Sequence, residues 1–213
     1  MLEFFKTLLD SKEIINTGGL LLVVLIVYVE NGLFFGFFLP GDYLLFLAGV
    51  FCGTQAFAVS IITLVLGVTA AAVAGSFTGY LFGYVLGKKI LQKKDTLFFK
   101  REYLIRTRVY FMKYGGKTLI LSRFLPIVRT FAPILAGMVK MNFKKFAIYN
   151  MMGGIIWVFS LILSGYFLGT KFPQIMHYLE YVVFFFLAVT SFVVVKGFFE
   201  MKKKKKKKAI TLV

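Results

Sequence analysis

The chain has 213 residues, of which 59% are apolar and only 16% charged, with 27 phenylalanines and a mean hydropathy of +0.83. A soluble domain of this size lacks the interior to hide so much apolar surface, so the composition points to an integral membrane protein. The formal charge of +17 argues for topology and lipid contact rather than nucleic acid, because the basic residues sit beside apolar segments: ten within 88–117 and seven consecutive lysines at 202–208.

Cys52 and His177 are each the only residue of their kind. That removes an intramolecular disulfide, a thiolate cluster, a His-based metal site and most triad chemistry, so neither an enzyme nor a cofactor is expected. An N-terminal polar segment, 1–17, mixes Glu3, Lys6, Asp10, Lys12 and Glu13. It has no short apolar core ending at small residues, and a cleavable signal peptide is not expected.

Four apolar regions follow, about 18–51, 56–87, 118–139 and 146–199, the last split near 171–180. Residues 56–87 carry no charge and are long enough to span with tilt. Residues 146–169 form a second span and 181–199 a third. Region 118–139 is long enough to cross, yet it is flanked by basic residues on both sides: 88–117 before it, and Lys140, Lys144 and Lys145 after it. If both flanks are cytoplasmic, the segment enters and leaves on one side. Pro126 and Pro133 suit such a broken, re-entrant hairpin better than a continuous helix.

A duplication organises these regions. Moving the sequence by 86 positions lays Phe38-Leu39-Pro40 on Phe124-Leu125-Pro126, Gly67 on Gly153, and Gly79, Tyr80 and Gly83 on Gly165, Tyr166 and Gly169. The first copy reads on into Gly41-Asp42, so Pro40, Gly41 and Pro126 are the expected hairpin turns. Each repeat is then a re-entrant hairpin plus one spanning helix, and a unit with one crossing reappears inverted when duplicated in tandem. The expected fold is an all-α polytopic membrane protein. It comprises repeat one over about 18–87, a basic amphipathic connector at 88–117, repeat two at about 118–170, a last span at 181–199 and a cytoplasmic polylysine tail at 200–213. The side of the N-terminus stays open, because repeat one holds an extra apolar stretch at 20–29.

Within the connector, Phe98, Phe99, Tyr103, Tyr110, Phe111 and Tyr114 alternate with basic residues, as in an interfacial helix; an ordinary solvated connector is the plainer reading. Gly67, Ala71, Gly75, Gly79, Gly83 and Gly87 recur every fourth position, making a smooth ridge for a neighbouring helix.

Glu30, Asp42, Arg123 and Arg129 are the only charged residues within the two expected hairpins. A charge at membrane depth costs about 2.5–3.5 kcal/mol on insertion scales, so it persists when paired, hydrated or functional. Inverted repeats bring two broken hairpins together near the midplane, where transporters build substrate sites. Two structural salt bridges are the simpler alternative. Two arginines beside broken-helix ends suit a phosphate, through forked donors and exposed backbone amides. An acid at membrane depth can exchange its charge for a proton, so Glu30 or Asp42 is the candidate for proton coupling. Phosphate with apolar walls suggests a phospholipid or polyprenyl phosphate head group.

At these residues the chain resembles the DedA family of membrane proteins, also called the SNARE-associated or VTT-domain family. The resemblance rests on Glu30, Phe38-Leu39-Pro40-Gly41-Asp42, Leu47-Ala48-Gly49, Gly79-Tyr80, Arg123-Phe124-Leu125-Pro126 with Arg129, Ala136-Gly137, Asn150, Gly153 and Trp157. It covers about 18–199. It implies lipid translocation across the bacterial cytoplasmic membrane, with undecaprenyl phosphate or phosphatidylethanolamine as cargo and dependence on proton motive force. By that resemblance, Glu30 and Asp42 are the proton-coupling acids, and Arg123 and Arg129 contact lipid phosphate. The expected partners are membrane lipids, with an anionic surface at the connector and tail. A proton or small-ion antiporter and a structural scaffold are the alternatives.

Overall fold

In the computed structural model, residues 19–33, 36, 39, 41–57, 59–91, 115–172 and 174 are described, with the backbone alone for 88–91, 126 and 127. The connector's middle, the expected last span, the polylysine tail and the turn residue Pro40 therefore lie outside the described residues. Residues 174–213 form a separate unit, of which only Gln174 is described.

Two series of helices recur in the same order: short, break, short, long. In the first, α1 is Gly19–Gly32, α2 is Gly41–Gly53 and α3 is Ile61–Leu91. In the second, α4 is Lys117–Ser122, α5 is Pro126–Met138 and α6 is Phe143–Lys171. No strand occurs among the described residues. Apolar stretches of 27 residues in α3 (Ile61–Gly87) and 29 residues in α6 are long enough to cross a membrane. At ~1.5 Å per residue, about 20 residues cover the hydrocarbon core. Both spans agree with the sequence expectation, the first beginning at Ile61 rather than 56 and the second running a few residues past 146–169 at each end. The extra apolar stretch of the first half is α1.

Local chemistry sets several boundaries. Leu125 is extended and Pro126 takes the first helical position of α5, where its missing N–H costs nothing. The break therefore falls at Arg123–Leu125, as Pro126 suggested, but Pro133 does not break the chain again. It stays inside α5, and the carbonyl of Arg129 loses its usual i+4 donor. Helix α5 ends with Met141 N–H on the Ala136 carbonyl and Lys140 N–H on the Gly137 carbonyl, with Lys140 left-handed at φ 54°. Asn142 caps α6 by accepting a hydrogen bond from Lys145 N–H at 3.2 Å.

The short helices clasp the long ones crosswise. α1 and α5 pack on α3, while α2 and α4 pack on α6, and the two long helices also touch. So α2 of the first series lies on the long helix of the second, and α5 of the second lies on that of the first. The glycine ridge makes this approach possible. A Cβ on Gly75 would meet the carbonyl of Tyr28 at 2.6 Å, and one on Gly87 would meet the Met138 backbone at 2.8 Å. Gly83 lies against the Ile134 carbonyl in the same way. On the other long helix, Gly165 faces the Phe46 carbonyl and Gly169 the Val50 carbonyl. Backbone-to-backbone contact at small residues replaces a hydrophobic driving force that lipid cannot supply. The crosswise clasp brings the end of α1, with Glu30 and Asn31, to the same buried region as Arg123 and Arg129.

Candidate functional site

All four charged residues singled out from the sequence meet here. Glu30, near the end of α1, is completely buried, and Arg123 and Arg129 are each 4% exposed. Asp42, the second residue of α2, is the most open of the four, its side chain being 26% exposed.

Arg129 holds both acids. Its Nη2 donates to Glu30 Oε1 and its Nη1 to Asp42 Oδ1, forming two ion pairs from one guanidinium. That fork geometry is what arginine offers and lysine does not. Trp157, on α6, completes the arrangement. Its Nε1 donates to the same Asp42 Oδ1 at 2.8 Å, and its ring faces the Arg129 guanidinium at 4.8 Å. Thr130 Oγ1 donates to the Glu30 carbonyl at 3.3 Å, anchoring α5 to the end of α1.

Two groups in this cluster lack a partner. Glu30 Oε2 and Arg129 Nε are buried and make no hydrogen bond. Glu30 Oε2 lies against Gly41, where any Cβ would overlap it, and Gly36 lies against the backbone of Val29 and Glu30. Gly41 thus makes room for the carboxylate, and Gly36 allows its own close approach to the end of α1. Gly41 was expected as a turn residue; it is the first residue of α2 and serves by making this room.

Arg123 is surrounded differently. Its Nη1 donates to Asn31 Oδ1 at 3.2 Å, and its Nη2 donates to Ser76 Oγ at 2.9 Å and to Asn150 Oδ1. Each acceptor is oriented by a helix carbonyl. Asn31 Nδ2 donates to Val27, Asn150 Nδ2 to Val73 and Ser76 Oγ to Ala72. No carboxylate pairs with Arg123 among the described residues. Two salt bridges, the simpler sequence alternative, are present among the described residues, but Arg129 makes both and Arg123 makes neither. The cause is placement. Arg129 projects from the first turn of α5 beside the ends of α1 and α2. Arg123 sits one residue past α4, beside α3 and α6, which offer it only neutral polar groups. Gly153 and Gly154 of α6 adjoin the Arg123 side chain, and a Cβ there would crowd Ile120 and Val73 first.

Asn31 and Ser76 carried no sequence signal beyond being small polar residues in apolar runs. Asn150 and Trp157 were visible only through the family resemblance, without a role. Asn31 adjoins Glu30, and that adjacency was the one clue available.

The VTT domain family model matches residues 39–167, which include Asp42, Arg123, Arg129, Asn150 and Trp157 but begin after Glu30. Protein DedA of Escherichia coli strain K12 is 39% identical over 162 residues, covering 76% of this chain and 74% of its own length. The inner membrane protein YqjA of the same strain is 36% identical over 176 residues, covering 82% and 77%. An uncharacterized membrane protein of Mycobacterium tuberculosis strain H37Rv is 40% identical over 162 residues, covering 76% and 71%. No solved structure matches the chain. A domain match across more than half the chain, relatives that are themselves membrane proteins and an apolar helical architecture lead to one identification: the chain is a membrane protein of the DedA, or VTT-domain, family.

Proposed function

We propose that this protein moves a phosphate-bearing lipid, undecaprenyl phosphate or a phospholipid, across the bacterial cytoplasmic membrane, with proton coupling through Glu30 or Asp42. The observation that carries the proposal is the neutral surroundings of Arg123. A buried guanidinium held only by amide and hydroxyl oxygens keeps its full charge for an incoming anion. A phosphate offers charged acceptors where Asn31, Ser76 and Asn150 offer dipoles, so it can displace them. Arg129 is engaged by Glu30 and Asp42 at rest and becomes a second phosphate contact when an acid takes up a proton.

In this reading the two helix series are inverted repeats whose broken pairs re-enter the membrane, and the C-terminal tail is cytoplasmic. The inner-membrane assignment of YqjA supports the location. An ion antiporter would use the two acids but leaves Arg123 and its polar cage without a task.

The test is reconstitution in liposomes with labelled undecaprenyl phosphate or labelled phospholipid, following its exposure with and without a pH gradient. Wild type should move the lipid and Arg129→Ala should not. Equal rates for the two proteins would overturn the mechanism.

A further inference from the structure

We infer that Trp157 is a positioning residue that clasps the Asp42–Arg129 ion pair and transmits the state of Asp42 to the guanidinium. The inference rests on the lipid-transport reading for its purpose, though not for its geometry. Trp157 touches both members of the pair at once, with its N–H on Asp42 Oδ1 and its ring on Arg129. The oxygen it grips is the one that accepts Arg129 Nη1, so a change at that atom reaches both neighbours. The indole is 1% exposed and cannot turn toward water to replace a lost acceptor.

The surroundings limit which groups can drive such a change. Asp42, on α2, is faced by Arg129 from α5 and by the indole from α6. Glu30 of α1 lies across the same guanidinium, and Arg123 also reaches the indole, at 6.0 Å. Glu30 is sealed, whereas the Asp42 side chain is partly open, so Asp42 is the acid through which a proton can arrive. When Asp42 is ionised, its Oδ1 holds the indole N–H and Arg129 together. When it is protonated, both hydrogen bonds weaken, and Arg129 keeps Glu30 while gaining a free Nη1 for an anion. Trp157 then defines where the released guanidinium stays, through its ring.

Trp157 is the only tryptophan in the chain, so its fluorescence reads this one site. The experiment uses the full chain in nanodiscs of phosphatidylethanolamine and phosphatidylglycerol, with emission followed from acid to alkaline pH. Wild type should show one transition, Asp42→Asn should lose it, and Asp42→Glu should keep it at a displaced midpoint. Flat emission in wild type, or a wild-type transition in Asp42→Asn, overturns the clasp. If Asp42→Asn loses helix by circular dichroism, Asp42→Glu decides, and an unmoved midpoint overturns the inference. In liposomes, Trp157→Phe keeps an aromatic face but has no N–H. Its pH profile for lipid movement should shift to the alkaline side by about one unit, the size expected for one lost hydrogen bond to a carboxylate. An unshifted profile also overturns the clasp. If the transition behaves as expected but no lipid moves, the transport reading fails and the clasp stands.

Discussion

Two buried arginines six positions apart occupy opposite kinds of environment. Arg129 faces two carboxylates, whereas Arg123 faces two amides and a hydroxyl, and the Trp157 ring lies near both, at 4.8 Å and 6.0 Å. Both are equally shielded, so burial does not separate them; the charge of their partners does. Removing one side of a buried ion pair strands the other charge, whereas removing one side of a neutral hydrogen bond strands only a dipole. The comparison teaches that the same residue type can serve as a structural lock in one place and as an available charge in another.

The largest effect should follow from Arg129→Ala, which leaves Glu30 and Asp42 facing each other without a counterion. It should destabilise the protein by about 3–5 kcal/mol, seen as an earlier thermal melt in detergent. Arg123→Ala should cost less, about 1–3 kcal/mol, because Asn31, Ser76 and Asn150 lose a partner but no charge is stranded. It should nevertheless abolish binding of a short-chain lipid phosphate in a direct binding measurement. A melt lowered more by Arg123→Ala than by Arg129→Ala would break the comparison.

Asn150→Asp sharpens it from the other side, by giving Arg123 the carboxylate it lacks. The folded protein should change by less than about 1 kcal/mol in stability, the new ion pair being offset by the Val73 carbonyl losing its Nδ2 donor, while lipid-phosphate binding falls because Arg123 then resembles the engaged Arg129. Ser76→Ala removes one neutral acceptor and should cost only about 0.5–1.5 kcal/mol in the same melt, with binding retained.

The spans and the charged set were legible because apolar sequence makes a charge conspicuous. Residues 56–87 and 146–169 read as spans by length, and Glu30, Asp42, Arg123 and Arg129 read as a group by their position in the doubled turn. The pairing was not legible. Two salt bridges could be foreseen but not which arginine makes them, because the partner of each side chain depends on which helix ends meet, and that is fixed by helix contacts far apart in sequence. Pro133 shows the same limit. It read as a second breaker, yet packing against Gly79 of α3 carries α5 through it. Ser76 illustrates a different loss, since one serine next to a ridge of small residues gives no sign that it faces a guanidinium.

The crosswise clasp of short helices on long ones also sets a schedule for the newborn chain. Glu30 is separated from Arg129 by 99 positions and Asp42 from Trp157 by 115. At about 5–20 residues per second, the acids of the first half emerge roughly 5–20 seconds before the groups that neutralise and orient them. During that interval the half-made protein needs water, a proton or an insertion factor at both acids, and it closes only when α5 and α6 arrive to complete it.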